Sequence, residues 1–439
     1  MSPIPRLPRE FRWGVATSAF QIEGAVREDG RGTSIWDTFS HAPGTIRDGH
    51  TADVACDHYH RMPEDVDLLR RLGVDIYRFS ISWTRVVPDG GARVNTRGLD
   101  FYERLVDALL AAGIAPMPTL YHWDLPQPLE DAGGWLNRDT AERLADYATA
   151  VAERLGDRVD DWITLNEPFE HMALGYALGS HAPGRQLLLE ALPVAHHQLL
   201  GHGLAARRLR AAGARRVLLT NSYSPAVPAS DSGADVAAAG VYDTLHRRLF
   251  TDPVVLGRYP DLSAFGVDLG DIIHDGDMEA IAAPLDGLGV NYYNPTRVAA
   301  AGDGPLPFAF VDVDGVEHTE FGWPIVPSGL TRTLLELTGD YGDALPPLWI
   351  TENGCSFAAA PDDTARVDYL DAHVRAVADA VDQGADVRGY LVWTLMDNFE
   401  WAEGYHQRFG LVHTDIDSGT RTPRASFDWY ASLIAGQRA

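Results

Sequence analysis

The chain is 439 residues long and carries 62 Asp and Glu against 36 Lys and Arg, a formal net charge of -26. Nucleic acid and anionic membrane surfaces are thereby excluded as expected partners, because phosphate contacts need a basic face. The two cysteines, Cys56 and Cys355, provide neither a disulfide framework nor a Cys-rich metal site, and the 45% hydrophobic content is ample for a large core.

Residues 1–10 are polar and Pro-rich, without the charged start and apolar run of a signal peptide, so a cytoplasmic location is expected. No stretch is long and apolar enough to span a bilayer. From there on, short apolar runs alternate with amphipathic stretches about eight times, the pattern of parallel strands joined by crossover helices. Strands are predicted at 11–17, 76–81, 115–121 and 162–166, then at 216–221, 285–291, 348–352 and 390–394. Helices are predicted at 64–72, 97–112, 138–155, 187–212, 235–249, 328–339 and 364–383, several opened by Asn, Asp, Ser or Thr and closed by Gly, as caps require.

Eight such pairs predict an α/β fold, a single closed (β/α)8 barrel over residues 1–439, with its active site at the carboxyl end of the strands. Arg78, His122, Glu167, Asn291, Glu352 and Trp393 are each expected to end or follow a strand. An open doubly wound sheet would gather its ligand at one switch point, whereas these residues are spread over many strand ends. Gly- and Pro-rich stretches at 24–50, 223–233, 300–327 and 354–363 predict long loops over the barrel mouth.

Two motifs concentrate the chemistry: Thr-Leu-Asn-Glu-Pro at 164–168 and Ile-Thr-Glu-Asn-Gly at 350–354. Each sets a glutamate where a strand ends, and a pair of carboxyls about 5–5.5 Å apart is what a retaining glycosidase uses to attack an anomeric carbon and protonate the departing oxygen. Glu167 as general acid needs a raised pKa, from burial and a neighbouring carboxylate. Glu352 as nucleophile must stay ionised, and Arg78 and Tyr293 are the candidate supports. Alternation lets only one of Tyr292 and Tyr293 face the barrel axis if the strand continues through them. Asn166 is placed to bond a sugar 2-hydroxyl.

Sugars bind where aromatic rings adjoin polar groups, and Gln21 with Glu23, His122 with Trp123, and Trp393 with Glu400 and Trp401 supply that combination. Against this, His58 with His60, and His196 and His197 with His202, lack the spacing and carboxylate of a metal site, and no phosphate-binding glycine motif occurs. Cys355 reads as a wall residue. A non-catalytic decayed barrel would have lost one of the glutamates; both are present.

The chain resembles glycoside hydrolase family 1, the β-glucosidase family, from Phe11 to Tyr430. The resemblance rests on Phe-Arg-Trp-Gly-Val-Ala-Thr-Ser-Ala-Phe-Gln-Ile-Glu-Gly at 11–24, Tyr-Arg-Phe-Ser-Ile-Ser-Trp at 77–83 and Leu-Tyr-His-Trp-Asp-Leu-Pro at 120–126. It continues in Asn-Glu-Pro at 166–168, Asn-Tyr-Tyr at 291–293, Thr-Glu-Asn-Gly at 351–354 and Trp-Thr-Leu-Met-Asp-Asn-Phe-Glu-Trp at 393–401. It implies a retaining β-glycosidase that needs no metal or cofactor, with Glu167 as acid/base, Glu352 as nucleophile, Arg78 and Tyr293 supporting Glu352, and Asn291 near Glu167. The glycone subsite then maps onto Gln21, His122, Asn166, Trp393, Glu400 and Trp401, with Trp123 and Phe409 beside it and Trp323 toward the leaving group.

By the same resemblance, Glu400 disfavours 6-phosphorylated sugars, and the presence of Glu167 favours O-glycosides over thioglucosides. Phe169 stands where the family commonly has Trp, which leaves the aglycone open, and Thr394 replaces a frequent Ser. The expected activity is exo-hydrolysis of β-glucosides, with β-fucosides and β-galactosides also accepted. The alternative is a narrower preference for a glycosylated secondary metabolite, or for transfer to an alcohol. The expected partner is a small β-glycoside or short oligosaccharide, and a homo-oligomer is left open.

Overall fold

Eight parallel strands follow the predicted order: β1 (Arg12–Ala16), β2 (Ile76–Ser80), β3 (Ala115–Tyr121), β4 (Asp161–Asn166), β5 (Arg216–Ser222), β6 (Gly287–Asn291), β7 (Leu348–Asn353) and β8 (Val387–Trp393). Each pairs with its sequence neighbours, and β8 pairs back onto β1 with Arg12 opposite Gly389 and Ala16 opposite Trp393, so the sheet closes as a (β/α)8 barrel. The computed structural model describes residues 4–301, 306–357 and 363–439, so parts of the predicted loops 300–327 and 354–363 lie outside the described residues. Among the described residues, no helix is long and apolar enough to cross a membrane.

Strands buried on both faces read as nearly continuous apolar runs, and here the two faces do different work. Ile76, Met117, Ile163, Leu218, Trp349 and Leu391, one from each of six strands, form a cluster of their own separate from the main core. They plug the barrel interior, as layered side chains do in this fold. Trp349 fits because β6 and β8 offer no side chain against it: a Cβ at Gly287 would stand 2.9 Å from its ring, and one at Gly389 would stand 2.8 Å away.

Two residues further along the same strand faces, the interior turns polar, at Arg78, Thr119, Thr220 and Thr351, with Trp393 beside them. Gly289 makes room for this layer, since a Cβ there would approach the Thr220 and Thr351 hydroxyls to 2.2 and 2.7 Å. On β4 and β7 the register shifts, between Ile163 and Asn166 and between Ile350 and Glu352. Such irregularities re-aim side chains, and these two occur where Asn166 and Glu352 enter the polar layer.

The helix boundaries differ from the predicted ones where proline misleads. The first long helix runs His58–Leu72 through Pro63, six residues earlier than predicted, and stops at Gly73 in the left-handed region. The predicted 235–249 helix is three joined pieces, Gly233–Asp243, a wide turn at Thr244–Arg248, and Leu249–Leu256 containing Pro253. The helix predicted from Asp235 is capped earlier, at Ser232, whose hydroxyl accepts from the Asp235 amide, and Asp363, just before the helix predicted from Thr364, makes no capping bond. The helix Ala425–Arg438 went unpredicted; its Tyr430 hydroxyl donates to the Gly14 and Tyr390 carbonyls at the barrel seam. Ala226–Pro228 and Phe308–Val311, within the predicted loops, form a small outer sheet with Thr296–Ala300, which leads into the second of them.

Gly287→Val would force a branched side chain into space held by Trp349 and Leu218, and should cost about 1–3 kcal/mol of stability. Gly339→Ala, in an exposed helical turn with nothing near its Cβ, should gain roughly 0.5–1 kcal/mol. Denaturant unfolding of the two variants should therefore show midpoints displaced in opposite directions from the parent.

Candidate active site

Arg78 organises the floor of the site. Its guanidinium donates from Nη1 to Glu352 Oε1 at 2.6 Å and to the Thr351 carbonyl at 3.0 Å, from Nη2 to Asn166 Oδ1 at 2.6 Å, and from Nε to the Thr119 hydroxyl at 3.1 Å. Arg78 was expected to end its strand, but it is the third of five residues in β2 and reaches the carboxyl end through the length of its side chain.

Because Arg can only donate, Asn166 must present its oxygen to Arg78 and its amide nitrogen to the other side. That nitrogen donates to Glu167 Oε2 at 3.2 Å and to His122 Nε2 at 3.1 Å. With Nε2 accepting, the His122 proton sits on Nδ1, which has no hydrogen-bond partner among the described residues. Burial, followed by the Arg78 charge, holds His122 neutral, well below the usual histidine range. Asn291 is polarised in the same way: its oxygen takes the Thr351 hydroxyl at 2.7 Å, and its nitrogen donates to Glu167 Oε1 at 2.8 Å and Asn166 Oδ1 at 3.1 Å.

Glu167 lies one residue past β4, in the left-handed backbone region with φ 44°. A residue with a side chain pays about 1–3 kcal/mol for that conformation. The chain is held there by the Glu167 amide donating to the Thr220 carbonyl at 2.8 Å and by Pro168 opening a short helix, Pro168–Glu170. Glu352 is the penultimate residue of β7, with its second oxygen taken by the Tyr293 hydroxyl at 2.8 Å. Since β6 ends at Asn291, the two tyrosines lie beyond it; Tyr292 turns outward to the Val326 carbonyl at 2.7 Å.

The two carboxyls are buried in unequal surroundings. Burial pushes Glu167 well above the usual range, the Glu352 and Glu170 charges push it further, and the Asn291 bond and the Arg78 charge oppose them. Burial raises Glu352 too, but the Arg78 charge and the bonds from Tyr293 and Arg78 counter it. The pair therefore loses its first proton chiefly from Glu352 and holds the second on Glu167. Glu400 is pushed up to about 8 by burial and the Glu352 charge, against a bond from Gln21.

The carboxyls open onto a cavity of about 740 Å3 whose wall includes His122, Trp123, Asn291, Tyr293, Trp393, Glu400, Trp401 and Phe409. Trp393 stacks on His122 at 5.9 Å, Trp123 and Trp401 meet at 4.7 Å, and Trp123 Nε1 donates to the Asn166 carbonyl at 2.9 Å. Trp323 lies on the outer side, 5.1 Å from Tyr293 and 5.8 Å from Phe409. Arg78, Asn166 and Gln21 are buried and bond to Glu352, Glu167 and Glu400 of that wall. Gln21 takes the Ser18 hydroxyl at 2.6 Å and donates to Phe399 O at 2.9 Å and Asn398 Oδ1 at 3.1 Å, which fixes the segment bearing Glu400. Glu23 does not join it, being turned into the structure by Arg85 at 2.9 Å and Tyr102 at 2.6 Å.

The remaining histidines have other partners: His58 bonds Asp65, His202 bonds Thr164, and His196 bonds Tyr259 and Asp277. Cys355 is buried behind Glu352. Sequence reading missed Thr119 and Thr351, which period-two alternation from Met117 and Trp349 would have placed inside the barrel, and Glu170, which carried no strand-end signal.

The description "Glycosyl hydrolase family 1" matches residues 4–439. The chain belongs to that family. It is 50% identical to thermostable β-glucosidase B of Thermobispora bispora, over 97% of this chain and 90% of that protein. It is 45% identical to a bifunctional β-D-glucosidase/β-D-fucosidase of Bifidobacterium breve, over 98% and 99%. Among solved structures, a psychrophilic β-glucosidase from Micrococcus antarcticus superposes with a TM-score of 0.96 at 46% identity, covering 99% of this chain and 98% of that one. Members of the family are glycosidases, and so this chain is a glycosidase.

Glu170 raises the Glu167 pKa through its charge alone, without a bond between them. Glu170→Gln should therefore lower the carboxyl titration of Glu167, read by carbon-13 NMR of carboxyl-labelled glutamate. An unmoved titration would mean that burial and Glu352 act alone.

Proposed function

We propose that this glycosidase is a retaining β-glucosidase that removes one terminal glucose from the non-reducing end of its substrate and also accepts β-fucosides and β-galactosides. The observation that carries the assignment of roles is the inequality of the two glutamates: Glu352 is bonded on one oxygen by Arg78 and on the other by Tyr293, whereas Glu167 receives only neutral amides. A cation and a phenol favour a carboxylate; burial beside another carboxylate favours an acid. The activities named for the relatives support the glucoside and fucoside preferences.

In this reading ionised Glu352 attacks the anomeric carbon as the bond to the departing oxygen breaks, and Glu167 gives that oxygen its proton. A glycosyl ester of Glu352 remains. Glu167, now a carboxylate, takes a proton from water, whose oxygen attacks the same carbon and returns Glu352 as a carboxylate. Two inversions leave the β configuration. The His122 Nδ1 proton and Glu400 offer a donor and an acceptor to glycone hydroxyls, and the Trp393 ring offers an apolar face. Exo action is supported by the inner end, where the buried Gln21 after β1 is tied to Asn398 and Phe399 after β8. The protein is taken to act in the cytoplasm as one catalytic domain, without a cofactor.

Proton NMR of early product from 4-nitrophenyl β-D-glucoside should show β-glucose before mutarotation, and early α-glucose would refute the mechanism. Glu352→Ala should abolish turnover. Glu167→Ala should lower kcat/KM for alkyl glucosides by about 10²–10⁴-fold and for the nitrophenyl substrate much less in the first step. The pH profile of kcat/KM should fall on the acid side as Glu352 is protonated and on the alkaline side as Glu167 loses its proton; Arg78→Met should move the acid limb to higher pH, since it removes the charge that holds Glu352 down.

A further inference from the structure

Beyond the two glutamates the cavity wall changes chemistry. Phe169, two residues after Glu167, packs edge-on against His246 at 4.4 Å; His246 stacks on Tyr242 at 5.3 Å; and Tyr242 meets Phe308 and Phe310 at 5.5 and 5.3 Å. The rings come from the turn after β4, the interrupted helix after β5 and the outer sheet, yet they form one run that ends in solvent at Phe310, 60% exposed. Trp323 and Phe321, stacked at 4.3 Å, line the same cavity.

The rim is apolar as well. Ten large hydrophobic side chains are strongly exposed among the described residues, and four of them, Leu178, Leu188, Phe310 and Val311, line this cavity. Exposed apolar surface gathered in one place marks a binding surface, whereas the same residues scattered would mean nothing. Two of the polar side chains nearby are already engaged: the Ser224 hydroxyl bonds the Asn294 carbonyl at 2.7 Å and Thr296 at 2.6 Å, and Arg297 donates to the Asp312 and Ala229 carbonyls at 3.0 and 2.8 Å.

A second hexose in this outer half would bury a ring of hydroxyls against aromatic carbon, and each unpaired hydroxyl costs free energy. A fused or multi-ring aromatic group carries few such groups and gains stacking with every ring it covers. We infer that the outer cavity selects a flat, apolar, multi-ring aromatic aglycone, so that the preferred substrates are β-glycosides of polycyclic phenols and not β-linked disaccharides. This rests on the β-glucosidase reading and narrows its substrate class. It also gives Phe169 a role, as the innermost ring of the aromatic run.

Phenyl and 2-naphthyl β-D-glucosides have leaving groups of similar acidity and differ in ring area, so their comparison isolates the outer cavity. With the purified full chain, kcat/KM should rise about tenfold from phenyl to 2-naphthyl, chiefly through KM, and cellobiose should fall below both. Phe310→Ala, an exposed substitution remote from the carboxyls, should erase most of the naphthyl advantage while the phenyl substrate keeps its rate. Should Phe310 contribute little alone, Tyr242→Ala should erase it in the same way. Cellobiose as the best substrate, or a naphthyl advantage that survives both variants, overturns the aglycone assignment and leaves the β-glucosidase reading intact. Absence of turnover on every β-glucoside, phenyl included, overturns that reading itself and the aglycone assignment with it.

Discussion

The buried contact between Arg78 and Glu352 is the interaction on which the site depends. A guanidinium and a carboxylate placed inside a barrel lose their hydration, and each is tolerable only with the other present and with its remaining hydrogen-bonding capacity filled. Arg78 meets this condition with bonds to Thr119, Thr351, Asn166 and Glu352. Its inability to accept then propagates outward, orienting Asn166, fixing the proton of His122 and turning an amide nitrogen toward Glu167. One side chain with only donors thus sets the direction of a whole hydrogen-bond network.

That network rests on an apolar base. Six side chains from six strands close the interior below it, and Trp349 fills the space that Gly287 and Gly389 leave open. A water-filled barrel floor would hydrate the ion pair and weaken the electrostatic contrast between Glu167 and Glu352. Plug and polar layer are successive steps along the same strand faces, two residues apart, and the register shifts on β4 and β7 admit Asn166 and Glu352 to the upper step. The left-handed turn at Glu167 belongs to the same construction, with its strain offset by the amide bond to Thr220.

The eight strands were legible in the sequence because parallel strands buried on both faces leave short apolar runs bounded by turn residues, and β3 coincides with its predicted limits at 115–121. Helix ends were less so: Pro63 and Pro253 lie inside helices that were predicted to begin after the one and to stop short of the other. The helix Ala425–Arg438 was invisible because its apolar residues serve the barrel seam and carry little regular period. Most residues of the site could be named from motif position alone. Their hydrogen-bond partners could not, since Gln21 is tied to Phe399 and Asn166 to Arg78, each far away along the chain.

The sequence by itself determined the barrel, the two glutamates and the family to which they belong, because strand periodicity and strand-end motifs are local and survive as patterns along the chain. Only the tertiary structure supplied the unequal surroundings of the two glutamates and the chemistry that lines the outer cavity. Both depend on groups far apart in the chain: Arg78 lies 274 residues from Glu352, and Phe169 reaches Phe310 through His246 and Tyr242. A carboxyl's pKa and a cavity's polarity are properties of what surrounds a group in space, and one-dimensional order does not encode that surrounding until the chain has folded.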